Sequence, residues 1–421
     1  MLDILREVSK TSDMIGAMTT SAHRWGPGDG FVPRSGESWR DPFGMYAHLR
    51  ESDPAHHVVD GDYWVLTRFA DVFDAARDTA TFSSAQGLTI TYGEREALGM
   101  DFAPMVMLDP PEHTAFRRLV GRSFTPRRVV ELEPAVRAFV VERVERLRAE
   151  PAGDLVTTLA KPLPSFVVAH YLGVPEADRD RFDHWTEEIV GANSSGDPLG
   201  AVDAVAELAT YFSELIEHRR ATPGDDVVSD LVTAMDAGED VDALAILGFA
   251  FTMGAGGNDT TTGLLGGAAE LLTEHPGQRR HLLEDPVAIP GAVEELLRLT
   301  SPVQGLARMT TRDVELHGRT IPRGRKVLLG YAAANRDPRE FGPDAEELDV
   351  TRPIDRIMSF GYGAHHCLGA AVARLQARVA LEELLARCPA FAVDAAAGCF
   401  APGNYVRRYA TLPFVPDGGI R

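Results

Sequence analysis

Cysteine is scarce in this chain: Cys367, Cys388 and Cys399 are the only three in 421 residues. So few exclude a disulfide scaffold and a four-sulfur metal site, and a reducing cytoplasm is the expected compartment. Basic residues are in deficit, with Lys+Arg at 42 against Asp+Glu at 62 and a formal charge of -20. Neither nucleic acid nor an anionic membrane surface is therefore expected as the main partner. Long hydrophobic runs are also missing. The first thirty residues scatter Asp3, Arg6, Glu7, Lys10 and Asp13 among the apolar ones, so neither a signal peptide nor an anchor is indicated. Residues 1–30 read as an extension, and residues 31–421 as one domain. Internal repeats, low-complexity linkers, heptads and Walker-type phosphate loops are absent too.

What remains is an ordinary globular composition, 44% hydrophobic and 25% charged. Val58-Val59, Asp60-Gly61 and Tyr63-Trp64-Val65-Leu66 predict a β-hairpin, since Asp-Gly favours the positive φ angles of a tight turn. A second β signal covers Val314-Glu315-Leu316, His317-Gly318, Ile321 and Val327-Leu328-Leu329. Between them helical periodicity dominates: Val129–Arg148, Asp154–Leu172, Asp178–Gly191, Val202–Arg220, Ala243–Glu274 and Pro286–Thr300. The expected class is mainly α with a small β lobe.

Ala243–Glu274 is apolar on all sides and would be about 45 Å long as one helix. It should cross the centre of the protein. A membrane span fits poorly, because the apolar run meets Asn258 and Asp259 after about fifteen residues, short of the eighteen or more a span wants. Each glycine costs a helix roughly 1 kcal/mol relative to alanine. Gly254, Gly256 and Gly257 therefore call for a reason: either close approach of a bulky planar ligand or tight helix–helix packing.

The most informative stretch is Ser359-Phe360-Gly361-Tyr362-Gly363-Ala364-His365-His366-Cys367-Leu368-Gly369-Ala370, just before an alanine- and leucine-rich helix. A cysteine at a helix N-terminus meets unpaired backbone N–H groups and the helix dipole, which favour the thiolate that binds metal or attacks electrophiles. Gly361 and Gly363 permit a tight loop, and Gly369 leaves room for a flat group. A dinucleotide fingerprint fails, since His366 stands where the third glycine belongs. Zinc fits badly, because His365, His366 and Cys367 are adjacent and no second ligand pair follows. A small buried hydrophobe, or a nucleophile with a neighbouring histidine, stays open on the residues alone.

Here the sequence resembles the cytochrome P450 monooxygenases. Phe360, Gly361, Gly363, His365, Cys367 and Gly369 match that family's haem-binding pattern F-G-x-G-x-H/R-x-C-x-G position by position. The resemblance implies haem b (iron protoporphyrin IX) with Cys367 as the proximal iron ligand, Phe360 near the sulfur and His365 at a propionate. It implies haem held between the long central helix and the cysteine-bearing loop. A thiolate ligand pushes electron density onto iron and favours O–O cleavage.

Further motifs extend the likeness. Gly256-Gly257-Asn258-Asp259-Thr260-Thr261 resembles the oxygen-activation motif, implying Asp259 for proton supply and Thr260 for hydrogen bonding to bound oxygen, beside a local helix distortion that admits water. Glu295-Leu296-Leu297-Arg298 resembles the E-x-x-R motif, with Arg352 as the third partner of a structural ion network. In Asp109-Pro110-Pro111-Glu112-His113-Thr114-Ala115-Phe116-Arg117, His113 and Arg117 lie one helical turn apart and could grip one anion. By resemblance that anion is a haem propionate, shared with Arg308. The likeness runs from about Asp41 to Pro413, includes Asn335-Arg336-Asp337-Pro338, and is nearest to actinobacterial members.

The resemblance also implies a reaction: one oxygen atom of O2 inserted into a substrate, with electrons from a ferredoxin and its reductase, because no flavin or nicotinamide motif is present. Arg117, Arg118, Arg122, Arg127 and Arg128, a run without an acidic residue, are expected to form the ferredoxin's docking patch. Substrate contacts are expected from residues 86–100, 185–198, 249–256, 303–306 and 403–405. Leu88, Ile90, Tyr92, Phe249, Met253, Gly256, Val303 and Leu306 would make a mostly apolar lining for a small organic substrate. A haem-thiolate binder or sensor without turnover and a haem-free cysteine-dependent hydrolase or transferase are the competing classes.

Overall fold

The computed structural model describes residues 29–97, 103–150, 152–195 and 201–418. The N-terminal extension lies almost wholly outside the described residues, as do the ends of the expected substrate segments at 98–100 and 196–198.

The β lobe forms around α1 (Phe43–Ser52) and α2 (Phe69–Arg77). β1 (Ala55–Val58) and β2 (Tyr63–Leu66) make the expected antiparallel hairpin, pairing Ala55 with Leu66 and Val58 with Tyr63. The turn chemistry differs from expectation: the residue at positive φ is Asp62, at 48°, rather than Asp60 or Gly61. Gly61 and Asp62 both donate backbone N–H bonds to the Val59 carbonyl, which makes a four-residue loop. β3 (Phe82–Ser83), β4 (Leu306–Thr310) and β7 (Lys326–Leu329) complete a sheet of order β1-β2-β7-β4-β3, in which β2 and β7 run parallel. The intervening β5 (Val314–Leu316) and β6 (Arg319–Ile321) form a separate hairpin whose His317 and Gly318 both have positive φ, as a two-residue primed turn requires.

The helical layer comprises α3 (Glu112–Val120), α4 (Pro126–Ala149), α5 (Pro162–Leu172), α6 (Arg179–Ser195), α7 (Val202–Ala221), α8 (Val227–Asp236), α9 (Ala243–Glu274), α10 (Ile289–Thr300) and α11 (Ala370–Arg387). α9 starts where the Asp242 side chain accepts the Ala245 N–H and runs through the centre, burying residues on several faces from Ile246 to Leu272. It is one continuous α-helix through Gly254–Thr260, so the anticipated distortion there is not present. Its glycines divide by function. A Cβ on Gly254 would sit 2.8 Å from Thr186 of α6, and one on Gly257 would sit 2.8 Å from Val168 of α5. Those two permit helix packing. A Cβ on Gly256 would meet open space.

Among the described residues, no helix is long and apolar enough to cross a membrane.

Candidate functional site

The loop from Ser359 to Gly369 is built by its backbone. Gly361 (φ 62°) and Gly363 (φ 71°) adopt left-handed conformations that cost other residues free energy. Gly363 also passes so close to α2 that a Cβ would lie 2.8 Å from the Ala76 carbonyl oxygen. The Gly361 N–H donates to the Met358 carbonyl and the Cys367 N–H to that of Phe360, which closes the loop. α11 begins at Ala370, three residues after Cys367.

Cys367 is open to solvent, and the protein atoms crowded around it push its thiol up by desolvation. An N–H from Gly369 and the charges of Arg117 and Arg374 act in the opposite direction. The ring of Phe360 lies 4.6 Å beneath the guanidinium of Arg374, and a Cβ on Gly369 would be 4.0 Å from the cysteine Sγ. Among the described residues no group of three or more His, Cys, Asp or Glu side chains could share a metal ion.

Positive and polar groups that lack counter-ions among the described residues gather beside this loop. Arg308 on β4 is 4% exposed; its Nη1 donates to the Ala307 carbonyl at 2.8 Å, and no described carboxylate pairs with it. Half-buried Arg117 has no ion pair among the described residues, and desolvation lowers its pKa while Cys367 opposes that. His113 is 1% exposed, and neither ring nitrogen has a hydrogen-bond partner there. Its ring centroid lies 4.1 Å from that of His365. His365 is pushed down to about 3 by desolvation, then by Arg308, His113 and Arg117, and its Nε2 contacts Ser84 Oγ at 3.2 Å.

Burying cations and orphaned ring nitrogens without acceptors is unfavourable. A group carrying carboxylates beside Cys367 would satisfy them. The residues present therefore fit a haem with its two propionates.

Glu295, Arg298 and Arg352 meet in one ion network, a triad of charged side chains. Arg298 and Glu295 are both fully buried and joined by two bonds of 2.6 and 2.8 Å, and Arg352 Nε reaches Glu295 at 3.2 Å. One residue outside the expected site, Asn335, connects this triad to the cysteine loop. Arg298 donates to the Asn335 carbonyl at 2.8 Å. The Asn335 side chain donates to Ser359 Oγ at 2.9 Å and accepts the Met358 N–H at 2.6 Å. Ser84 and Asp109 are likewise additions: Asp109 accepts the Ser84 N–H at 2.9 Å and so fixes the hydroxyl that touches His365. Asn335 and Asp109 both open motifs visible in the sequence, but nothing there indicates where their side chains reach.

On α9, Thr260 donates its hydroxyl to the Gly256 carbonyl at 3.1 Å. Asp259 pairs with Arg408. Of the expected substrate residues, Leu88, Ile90, Met253, Val303 and Leu306 are half-buried, and Gly256 is exposed. Val303 bridges to Val406. Phe249 instead sits in the core at 3% exposure, 6.1 Å from the Phe116 ring. Tyr92 is 40% exposed, and its hydroxyl donates to the Asp62 carbonyl at 2.6 Å, on the β lobe.

The arginine patch is largely neutralised. Arg122 pairs with Glu239, Arg127 with Glu131, and Arg128 with Asp225 and Asp230. Arg118 is exposed without an ion pair to any described residue. The sequence run contains no acid; the acids that pair with Arg122 and Arg128 come from the segment around α8.

Comparison with known proteins agrees with this geometry. The family model for cytochrome P450 matches residues 289–393. The chain is 60% identical over 394 residues to cytochrome P450 130 of Mycobacterium tuberculosis, covering 91% of this chain and 97% of that protein. The chain belongs to the cytochrome P450 family. It is a haem b monooxygenase. A further relative is the vitamin D(3) 25-hydroxylase of Pseudonocardia autotrophica, 40% identical over 85% of this chain and 89% of the relative. Among solved structures, cytochrome P450 CYP109Q5 from Chondromyces apiculatus superposes with a TM-score of 0.81 at 33% identity, covering 90% of this chain and 96% of the other.

Proposed function

We propose that this P450 hydroxylates an apolar or weakly polar organic substrate in the cytoplasm, using O2 and electrons from a ferredoxin and ferredoxin reductase. The single observation that carries the site assignment is the set of groups near Cys367 that have no acidic partner among the described residues: Arg308, Arg117 and His113. In this reading Cys367 ligates the haem iron, while Arg308, Arg117, His113 and His365 hold the propionates. Phe360, Gly361 and Gly369 shape the cradle. Bound there, the haem supplies oxygen activation and C–H oxidation.

The remaining roles belong to side chains. Asp259 holds and passes protons toward Thr260, whose hydroxyl hydrogen-bonds the oxygen substrate. Leu88, Ile90, Met253, Gly256, Val303 and Leu306 wall the substrate and exclude water. Phe249 contributes from the core behind them, and Tyr92 by fastening the loop that carries Leu88. The lining is apolar, and one relative is named for a hydroxylation of vitamin D(3), which suits a bulky apolar substrate. The three cysteines, all free thiols, suit a reducing compartment.

A reduced-CO difference spectrum of wild type and Cys367→Ala tests the thiolate. A ferredoxin-supplied assay that follows NADPH consumption and product tests turnover. A CO spectrum unchanged by Cys367→Ala would refute the ligand assignment, and reduction by ferredoxin without product from any apolar substrate in a broad panel would refute the hydroxylase reading.

A further inference from the structure

Lysine is among the residues least often fully buried, because its ammonium loses strong hydration. Lys326, the first residue of β7, has a side chain with no exposure at all. Its Nζ donates to the Gln86 carbonyl at 2.6 Å and lies 3.9 Å from the Glu94 carboxylate. Its backbone N–H donates to the Tyr92 hydroxyl at 3.0 Å. One lysine at a sheet position thus holds three points of the segment 86–94. Glu94 in turn accepts both the N–H and the hydroxyl of Thr89, at 2.8 and 2.7 Å. The backbone is shaped for this contact: Gly87 has φ 97°, and a Cβ there would collide with the Glu94 carboxylate.

The fastened segment is next to the cradle. Ser84, two residues before Gln86, touches His365, and the Leu88 carbonyl accepts the N–H of Ala307, the residue before Arg308. Holding Lys326 and Glu94 therefore fixes where Leu88 and Ile90 stand relative to the cysteine loop. An exposed ion pair would contribute little to this. A pair whose lysine is fully buried and also donates to the Gln86 carbonyl, and whose partly buried carboxylate also accepts from Thr89, is suited to setting a unique loop geometry.

We propose that Lys326, with Glu94, is a specificity-determining positioning pair: it latches residues 86–94 as a fixed wall and thereby sets the size of ligand accepted over the haem. The proposal rests on the assignment of Leu88 to the substrate wall. Lys326 touches no reacting atom.

The test uses haem-loaded wild type, Glu94→Gln, Lys326→Met and Leu88→Ala. Soret-shift titrations are run with imidazole, which is small, and with a bulky phenyl-substituted imidazole. Amide hydrogen exchange is followed over residues 84–95. For Glu94→Gln and Lys326→Met, imidazole affinity is expected to stay within about twofold, affinity for the bulky ligand to change at least tenfold, and exchange at Thr89 to accelerate. Loosening alone would raise exchange without changing the ratio of the two affinities, and that result overturns the proposal. Should Lys326→Met fail to fold, Glu94→Gln, which keeps its shape and a Thr89 contact, decides the matter alone. A response to Leu88→Ala without one to the latch variants rejects the latch and keeps the wall. No response to any variant rejects both.

Discussion

Arg408 Nε lies 2.9 Å from Asp259 Oδ2, an ion pair between the C-terminal strand region and the middle of α9. The carboxyl is pulled two ways. Desolvation raises its pKa and dominates; the charge and hydrogen bond of Arg408, and then Lys161, lower it. An acid held between these effects can change protonation at a lower cost than a fully paired one.

The pH dependence follows with a definite sign. Removing Arg408 takes away the main influence that lowers the Asp259 pKa, so Arg408→Gln should leave the carboxyl protonated to higher pH. The limb of the pH–turnover profile that reports Asp259 should then move to higher pH. Asp259→Asn should abolish that limb and slow product formation by about 10²-fold, the scale of a lost general acid. A profile of Arg408→Gln that overlays wild type would remove Asp259 from the proton path.

Arg308 supports a prediction with opposite signs in two states. Without haem, its buried guanidinium has no described carboxylate partner, so Arg308→Met should leave the apoprotein as stable or make it more stable, by about 1–3 kcal/mol. Haem retention should fall in the same variant, because the propionate contact proposed for Arg308 would be lost. Thermal melts of the apo and holo forms, with haem transfer to apomyoglobin, read both quantities. Equal destabilisation of both forms would show that Arg308 is simply a packing residue.

Glu295 is expected to be far less tolerant. It is fully buried, takes two bonds from Arg298, one from Arg352 and the Asp349 N–H. Replacing it by alanine leaves the Arg298 guanidinium buried without its carboxylate, at a cost of about 3–5 kcal/mol. Because Arg298 holds Asn335 and Asn335 holds Ser359 and Met358, the Glu295→Ala protein should also lose haem incorporation. Arg356→Ala, which breaks an exposed pair with Glu340, should stay within about 1 kcal/mol of wild type. Denaturant melts and the haem-to-protein absorbance ratio check both.

How much of this was legible in the sequence depends on the range of each interaction. The motif residues of the cysteine loop, the bounds of α9 and the Glu295–Arg298 pair are local in the chain, and local spacing identifies them. The short strands Gly153–Asp154 and Pro413–Val415, paired with each other, carry no periodic signal because two or three residues cannot show one. Arg122 and Arg128 looked like free charges because Glu239, Asp225 and Asp230 lie about a hundred residues further along the chain. Tyr92 looked like a lining residue, and only the pairing of loop with sheet shows its hydroxyl on Asp62 and on the Lys326 N–H.

That redistribution of charge changes the test of ferredoxin docking. Reversing Arg122 or Arg128 would break pairs that hold the α3–α4 turn to the α8 region, so slower reduction in those variants would confuse docking with structure. Arg118→Glu is the informative change. It should slow reduction by an acidic ferredoxin several-fold at low salt, lose most of the effect near 0.5 M salt as screening shortens to a few ångströms, and leave dithionite reduction intact. Identical slowing with dithionite would remove Arg118 from the docking surface.

The glycines of α9 offer a comparison in which packing and ligand contact separate. Gly254→Ala and Gly257→Ala each place a methyl 2.8 Å from a side chain of a neighbouring helix, so each should destabilise the protein by about 1–3 kcal/mol through overpacking. Gly256→Ala meets nothing within 4 Å and gains helix propensity of up to about 1 kcal/mol. Its melting temperature should match or exceed that of wild type, while its affinity for a bulky phenyl-substituted imidazole should fall, because Gly256 belongs to the proposed substrate wall. If Gly256→Ala binds that probe as wild type does, the open face of α9 does not border the substrate, and Met253 and Thr260 lose their place in the pocket with it.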